Sequence, residues 1–221
     1  MSQHNRQISS DKDATSLTYS IRQTLSNFPI IRQSAELILP SPLKSWLTSK
    51  LMSARPDRQF MESYILPQIA AAPKGKCLFV GCQPYTRHYG TWFMSSSVEF
   101  WTTDIDPDSA QWGEPHRHYI CGIEAIDAYV PAHSMDVVVM NGVFGFGLND
   151  EADKVKALQA IHHILKPQGH LVVGWNGDPP GQNPLNMSII LQLFKHSTRW
   201  PFAPHTTLEG TTHIYDFFTA S

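Results

Sequence analysis

The sequence predicts an α/β protein built on a doubly wound, mainly parallel sheet, and three observations predict it. Short apolar runs at 77–80, 98–103, 136–140 and 170–175 are nearly continuous in Val, Leu and aromatic residues, the texture of strands buried on both faces. An amphipathic helical pattern separates the last two runs and stops at Pro167-Gln168-Gly169, so that strand, helix and strand alternate. Gly81 ends the first run and Asp104 ends the second, placing a turn glycine and a carboxylate at the carboxyl ends of strands.

Taken in order, residues 1–15 are polar and expected to be mobile. From Leu17 to about Ala72 the pattern is helical, with breaks at Asn27-Phe28-Pro29 and Pro40-Ser41-Pro42. Ser41 reads as a cap with Pro42 at the first helical position, and Leu43, Trp46, Leu47 and Leu51 then share one face. A further helix is expected over 58–69, with Phe60, Tyr64 and Ile65 on one side. The helix after the third run starts at Asn149-Asp150-Glu151, a cap followed by an acidic first turn. Val155, Leu158, Ile161 and Leu165 form its apolar stripe. A Gly/Pro-rich loop over 176–184 precedes a helix carrying Leu185, Ile189 and Leu193. The tail from Trp200 reads as two strands around a turn at Glu209-Gly210, the last strand over 212–218. The expected organisation is a disordered N-terminus and helical cap over 1–72 and a ligand-binding core over 73–221.

The net charge is -2 and the charges are scattered. That gives no basic footprint for a polyanion, so no nucleic-acid partner is expected. No stretch approaches the ~20 apolar residues of a membrane span, and the first residues lack the apolar segment of a secretory leader. Cys77, Cys82 and Cys121 are odd in number and read as reduced, mostly buried thiols, which places the protein in the cytoplasm. His116-x-His118 and His162-His163 lack helical metal-pair spacing, and no Cys-x-x-Cys occurs, so no metal is expected.

In an open parallel sheet, ligands bind beyond the carboxyl ends of the strands. Gly81 lets the backbone turn sharply and approach a ligand closely. Asp104 follows at about the 20-residue spacing at which a carboxylate accepts both hydroxyls of a ribose. Each residue alone has an ordinary explanation, a turn glycine or a helix cap. Their order and spacing together favour a nucleoside site.

The stretch 76–176 resembles the core of class I S-adenosylmethionine-dependent methyltransferases. Leu78-Phe79-Val80-Gly81-Cys82 resembles the glycine-loop motif, and Thr103-Asp104-Ile105-Asp106-Pro107 the acidic motif of the second strand. Cys121-Gly122-Ile123-Glu124-Ala125-Ile126 stands where the family lines the adenine. The segment from Met135 to Phe144 resembles the fourth-strand motif, and Ile164 to Val173 the helix, Pro-Gly turn and fifth strand. The resemblance implies a Rossmann-like, seven-stranded sheet with an N-terminal helical cap and a closing reversed hairpin. It also implies S-adenosylmethionine as cofactor. Gly81 and its neighbours would contact the methionine part, Asp104 the ribose, and Ile105, Gly122 and Ile123 the adenine. Asn141 and Gly142 would sit beside the transferable methyl. Tyr85 and Thr86 would replace the family's glycine contacts to the cofactor with side-chain hydroxyls.

The sequence departs from the family at Phe79, where an acidic residue is usual, and at Gln83 and Tyr85, where glycines are usual. A non-methylating cofactor-binding protein of the same fold therefore stands as the alternative. A nicotinamide oxidoreductase is disfavoured, because Gly-x-Gly-x-x-Gly would need glycine at Gln83 and Thr86. Methyl transfer from a sulfonium needs alignment more than acid–base chemistry, so no catalytic residue is assigned. Tyr85, His88, Asn141, Phe144 and Trp175 are candidates near the expected mouth. The acceptor is expected to be a small molecule: Asn141-Gly142-Val143-Phe144 lacks the Asn/Asp-Pro-Pro-aromatic pattern of nucleic-acid amine methylation, and Asp178-Pro179-Pro180 reads as loop. Trp92, Phe93, Trp101 and Trp175 could line its pocket, although most aromatic residues are expected in the core. A homodimer is left open.

Overall fold

The computed structural model describes residues 54–178 and 182–221. The helical readings over 17–53, the Ser41-Pro42 cap among them, lie outside the described residues. The described chain opens with α1 (Pro56–Phe60), a π-helical turn (Met61–Ile65) and α2 (Leu66–Ala70), which run on as one helix. Pro67 has no N–H to give to the preceding turn, and the wider π turn stands just ahead of it.

The strands are β1 (Gly75–Val80), β2 (Val98–Asp104), β3 (His118–Ile120), β4 (Met135–Asn141), β5 (Leu165–Asn176), β6 (Phe194–His196), β7 (His205–Thr207) and β8 (His213–Ala220). Two further α-helices are α3 (Glu151–Ile164) and α4 (Ser188–Leu193). The sheet runs β3-β2-β1-β4-β5-β8-β6, with β7 also on β8. β3, β2, β1, β4 and β5 pair in parallel, and β8 is antiparallel to β5. The order reverses between β1 and β4, which creates a crevice at their carboxyl ends.

The sheet has eight strands rather than seven. The edge beside β8 is split: β6 pairs with Phe218–Ala220 and β7 with Ile214–Asp216. The segment between them carries Pro201 and Pro204, which cannot donate to a ladder. The short strands β3 and β6 were not visible as apolar runs. β3 is only half-buried, and of β6 only Phe194 is buried.

Alternate residues of each central strand serve opposite faces. Leu78, Val80, Val138, Met140, Leu171 and Val173 pack with Leu158, Ile161 and Ile164 of α3 and with Ile123 and Ile126 of a 3-10 helix. Cys77, Phe79, Val137, Val139 and Val172 pack with Met61, Ile65, Leu66 and Ile69 of the N-terminal helix and with Phe100, Tyr215 and Phe217. α3 begins where expected, its Asp150 cap accepting from Ala152 N–H at 2.8 Å. Its stripe ends at Ile164, because Leu165 already pairs with Met135 as strand.

All three cysteines are buried and unpaired. Asp216 is fully buried on β8 and accepts hydrogen bonds from Trp175 Nε1 at 2.7 Å, His205 Nδ1 at 2.8 Å and His196 Nε2 at 3.2 Å. It therefore joins both pieces of the split edge to the core. Among the described residues no helix is long and apolar enough to cross a membrane.

Candidate functional site

The carboxyl ends of β1, β2 and β4 open onto one cavity of about 700 Å³, within the ~300–1,000 Å³ usual for small-molecule sites. Gly81 turns the chain out of β1 at φ +89°, and Gly142 turns it out of β4 at φ +69°. Both glycines line the cavity, and nothing lies within 4 Å of the place a Cβ would occupy at either. A side chain there would be strained and would stand in the open space, so bare backbone is what a ligand meets.

Asp104 lies directly across from the Gly81 turn. Gly81 N–H donates to Thr103 O at 2.9 Å, and Cys82 N–H donates to Asp104 Oδ2 at 2.6 Å. Asp106 N–H donates to Asp104 Oδ1 at 2.9 Å. Each carboxylate oxygen therefore holds one backbone N–H and keeps a further lone pair. Asp106 caps the next helix: its side chain accepts from Asp108 N–H and starts a 3-10 helix, Pro107–Trp112. Asp104 itself is left to clamp the loop and face the cavity. Burial, with the Asp104 charge beside it, pushes the Cys82 thiol up to about 12 against a hydrogen bond from Thr102, so this thiol stays protonated and unreactive. Burial also pulls His118 down, while Asp104 opposes the shift.

Gly81, Tyr85, Thr86, Asp104, Ile105, Gly122, Ile123, Asn141 and Gly142 all line this one cavity. The Thr86 hydroxyl is occupied within its loop, accepting from Gln83 N–H at 2.9 Å and donating to Gln83 O at 3.0 Å. It closes the turn onto the Gln83 backbone. The Tyr85 hydroxyl accepts from Arg58 Nη2 at 3.2 Å, and the Arg58 guanidinium stacks 4.6 Å from the ring centroid. Ile105 is exposed and Ile123 buried, and both line the cavity with Gly122.

The other mouth candidates lie elsewhere. Phe144 and Trp175 are buried in the core, where their places on the chain turn them toward the α3 face. His88 sits 3.4 Å from Glu62 on the outside of the N-terminal helix. Neither these three nor Trp92, Phe93 and Trp101 line the cavity.

The cavity also recruits residues that the sequence reading passed over: Arg55, Asp57, Arg58, Asn176 and His213. Asn176 directly follows the 170–175 run and was findable by the rule that selected Asp104. His213 was hidden because β8 runs antiparallel, so its first residue, not its last, reaches the ligand end. Asp57 is buried between Arg55 Nε at 3.1 Å and Arg58 Nε at 3.5 Å. Arg58 is also buried, and its Nε makes no hydrogen bond among the described residues. Tyr215 OH donates to Asp57 O at 2.9 Å and ties this corner to β8.

His213 bridges two strand ends. Its Nε2 lies 2.9 Å from Asn141 Oδ1 and its Nδ1 2.8 Å from Asn176 Oδ1. Burial drives its pKa down to about 4; Asp57 opposes the shift, and Arg58 and Arg55 add to it. The cavity is thus polarised. Asp104, Asp106, Glu124 and Asp153 stand on the β2–β3 side and at the start of α3, while Arg55 and Arg58 come from the N-terminal helix.

No family model and no curated protein matches the chain. Solved structures do. A TehB-like SAM-dependent methyltransferase from Corynebacterium glutamicum aligns over 82% of this chain and 100% of its own, at 18% identity and a TM-score of 0.54. The N-methyltransferase NodS from Bradyrhizobium japonicum aligns over 76% and 98%, at 14% identity and a TM-score of 0.57. TrmN from Thermus thermophilus aligns over 71% of this chain and 47% of its own, at 11% identity and a TM-score of 0.50. At these identities the likeness establishes the fold: a Rossmann-like class I methyltransferase fold.

Proposed function

We propose that the protein is an S-adenosylmethionine-dependent methyltransferase acting on a small-molecule acceptor by in-line transfer. The observation that carries this reading is the convergence of the Gly81 and Gly142 turns and the Asp104 carboxylate on one cavity. The residues present fit the cofactor. Asp104 has lone pairs left for a ribose diol, and Ile105, Gly122 and Ile123 form a wall for a flat base. The buried Arg58, whose Nε makes no hydrogen bond among the described residues, suits the carboxylate of an aminocarboxylate tail at the helix end. Asn141 and Gly142 lie between these two ends.

The sulfonium supplies the electrophilic carbon when the cofactor is bound. The chain's own part is to hold the donor, exclude water and align the acceptor. The segment after Gly81 carries only turns and a 3-10 helix, Tyr89–Phe93. It offers no α-helix N-terminus for a pyrophosphate, which weighs against a nicotinamide cofactor. A cytoplasmic setting and a small acceptor agree with the scattered charge and the modest cavity.

Calorimetry with S-adenosylmethionine and S-adenosylhomocysteine tests the reading, with micromolar to low-millimolar binding expected. The absence of heat with either compound would remove it. Binding without release of labelled methyl to any acceptor would favour the non-methylating alternative.

A further inference from the structure

Resting on the methyl-transfer reading, we propose that His213 holds the carboxamides of Asn141 and Asn176 as a coupled donor–acceptor pair that reads the methyl acceptor. The acceptor is accordingly a small neutral molecule with an N–H or O–H donor beside a carbonyl or ring-nitrogen acceptor, as in a heteroaromatic lactam.

The inference follows from counting protons on one ring. Both nitrogens of His213 lie at hydrogen-bond distance from a carboxamide. With both amide oxygens on the ring, His213 would have to be an imidazolium. It is instead 2% exposed, with Arg58 and Arg55 nearby, and is held neutral above about pH 4. A neutral imidazole has one N–H and one lone pair. One amide therefore gives its oxygen to the ring N–H, and the other turns over and gives its NH2 to the lone pair. The atoms left for a ligand are then one NH2 and one carbonyl oxygen. Shifting the ring proton and turning both amides reverses their order without breaking the chain.

Three further observations support a ligand at this wall. Asn141 is only 8% exposed and lines the cavity, yet its Nδ2 has no hydrogen-bond partner among the described residues. Gly174 makes room for the arrangement, because a Cβ there would collide with the Asn141 amide, the His213 ring and Tyr215. Lastly, no free carboxylate stands here: Asp57 is engaged by two arginines, and the other acids of the cavity lie on the β2–β3 side and at α3. An alkylammonium acceptor would find no counter-charge, whereas a lactam edge would satisfy both amides.

The test uses the full chain saturated with S-adenosylhomocysteine and titrated with 2-pyridone or with propylamine. Binding is read from the side-chain NH2 resonances of Asn141 and Asn176. Millimolar 2-pyridone is expected to shift both resonances, and propylamine neither. Asn176→Ala is expected to weaken 2-pyridone binding roughly tenfold while homocysteine-cofactor affinity stays unchanged. In the wild type at pH 7, the imidazole nitrogens of His213 are expected to report one protonated and one bare nitrogen. The proposal is overturned if the cofactor product binds but 2-pyridone leaves both amides unmoved, if propylamine binds as tightly, or if His213 is an imidazolium. Failure of the cofactor product itself to bind would instead remove the methyl-transfer reading beneath it.

Discussion

Asp104 and His213 are polar groups at strand ends with opposite requirements. Asp104 must stay charged, because it holds two backbone N–H groups and faces the proposed ribose. Asp104→Asn is expected to weaken S-adenosylhomocysteine binding by about 10- to 100-fold in calorimetry, the worth of charge-assisted hydrogen bonds. His213 must stay neutral. Its folded-state pKa lies below that of the unfolded chain, so folding releases its proton. The stability this represents is present in full above about pH 6.5 and is lost as pH falls toward 4. Urea melts at pH 7 and pH 4.5 should show a larger loss for the wild type than for His213→Gln, by on the order of 2 kcal/mol. An equal loss in both proteins would mean that His213 is not the group responsible. Gly174→Ala, which drives a methyl into the Asn141 amide and the His213 ring, is expected to cost about 1–3 kcal/mol, measured as a lowered denaturation midpoint. At this scale the sequence marked Gly81 and Asp104 through their positions just after apolar runs, and Asn141 through the resemblance of the fourth-strand motif. Arg58 and His213 carried no such mark, since one precedes the sheet by a whole helix and the other enters from an antiparallel strand.

The elements explain which of these positions are reliable. α3 was legible because its cap, acidic start and Pro-Gly stop agree with one another. Asp150→Ala is expected to lower stability by about 1 kcal/mol with cofactor affinity unchanged, because Asp150 caps the helix and does not line the cavity. A change in affinity would show that the helix start reports to the site. The helix from Pro56 to Ala70 was read from its apolar face, but its π turn was not, because that turn answers to a single proline. The segment after β1 carries no sign of its form in periodicity. Gln83 and Tyr85 stand in the place of glycines, and the Thr86 hydroxyl ties the loop to the Gln83 backbone. Of the aromatic residues offered as a pocket lining, Trp175 is turned by strand alternation onto the α3 face, where its N–H meets Asp216, and Trp92 and Phe93 lie on the 3-10 helix after β1.

For the molecule as a whole, the cavity is a store of binding potential that a ligand can use. Ligand that binds only the folded state stabilises it by about 2.7 kcal/mol at a hundredfold excess over Kd. For a domain of this size, saturating S-adenosylhomocysteine should raise the melting temperature by roughly 5–10 °C; no shift would contradict the proposed site. The strand order could be anticipated from the resemblance of the motifs, whereas the strand count could not, because it depends on how the last edge is broken. That break has a consequence for the behaviour of the chain in concentrated solution. β3, at one margin of the sheet, and β6 and β7, at the other, each present only three residues. Among the described residues these margins give a neighbouring copy only short ribbons of unpaired amides to zip against. The buried Asp216 clasp keeps the two short pieces seated, so the protection against stacking into fibrils is built from the same contacts that close the sheet.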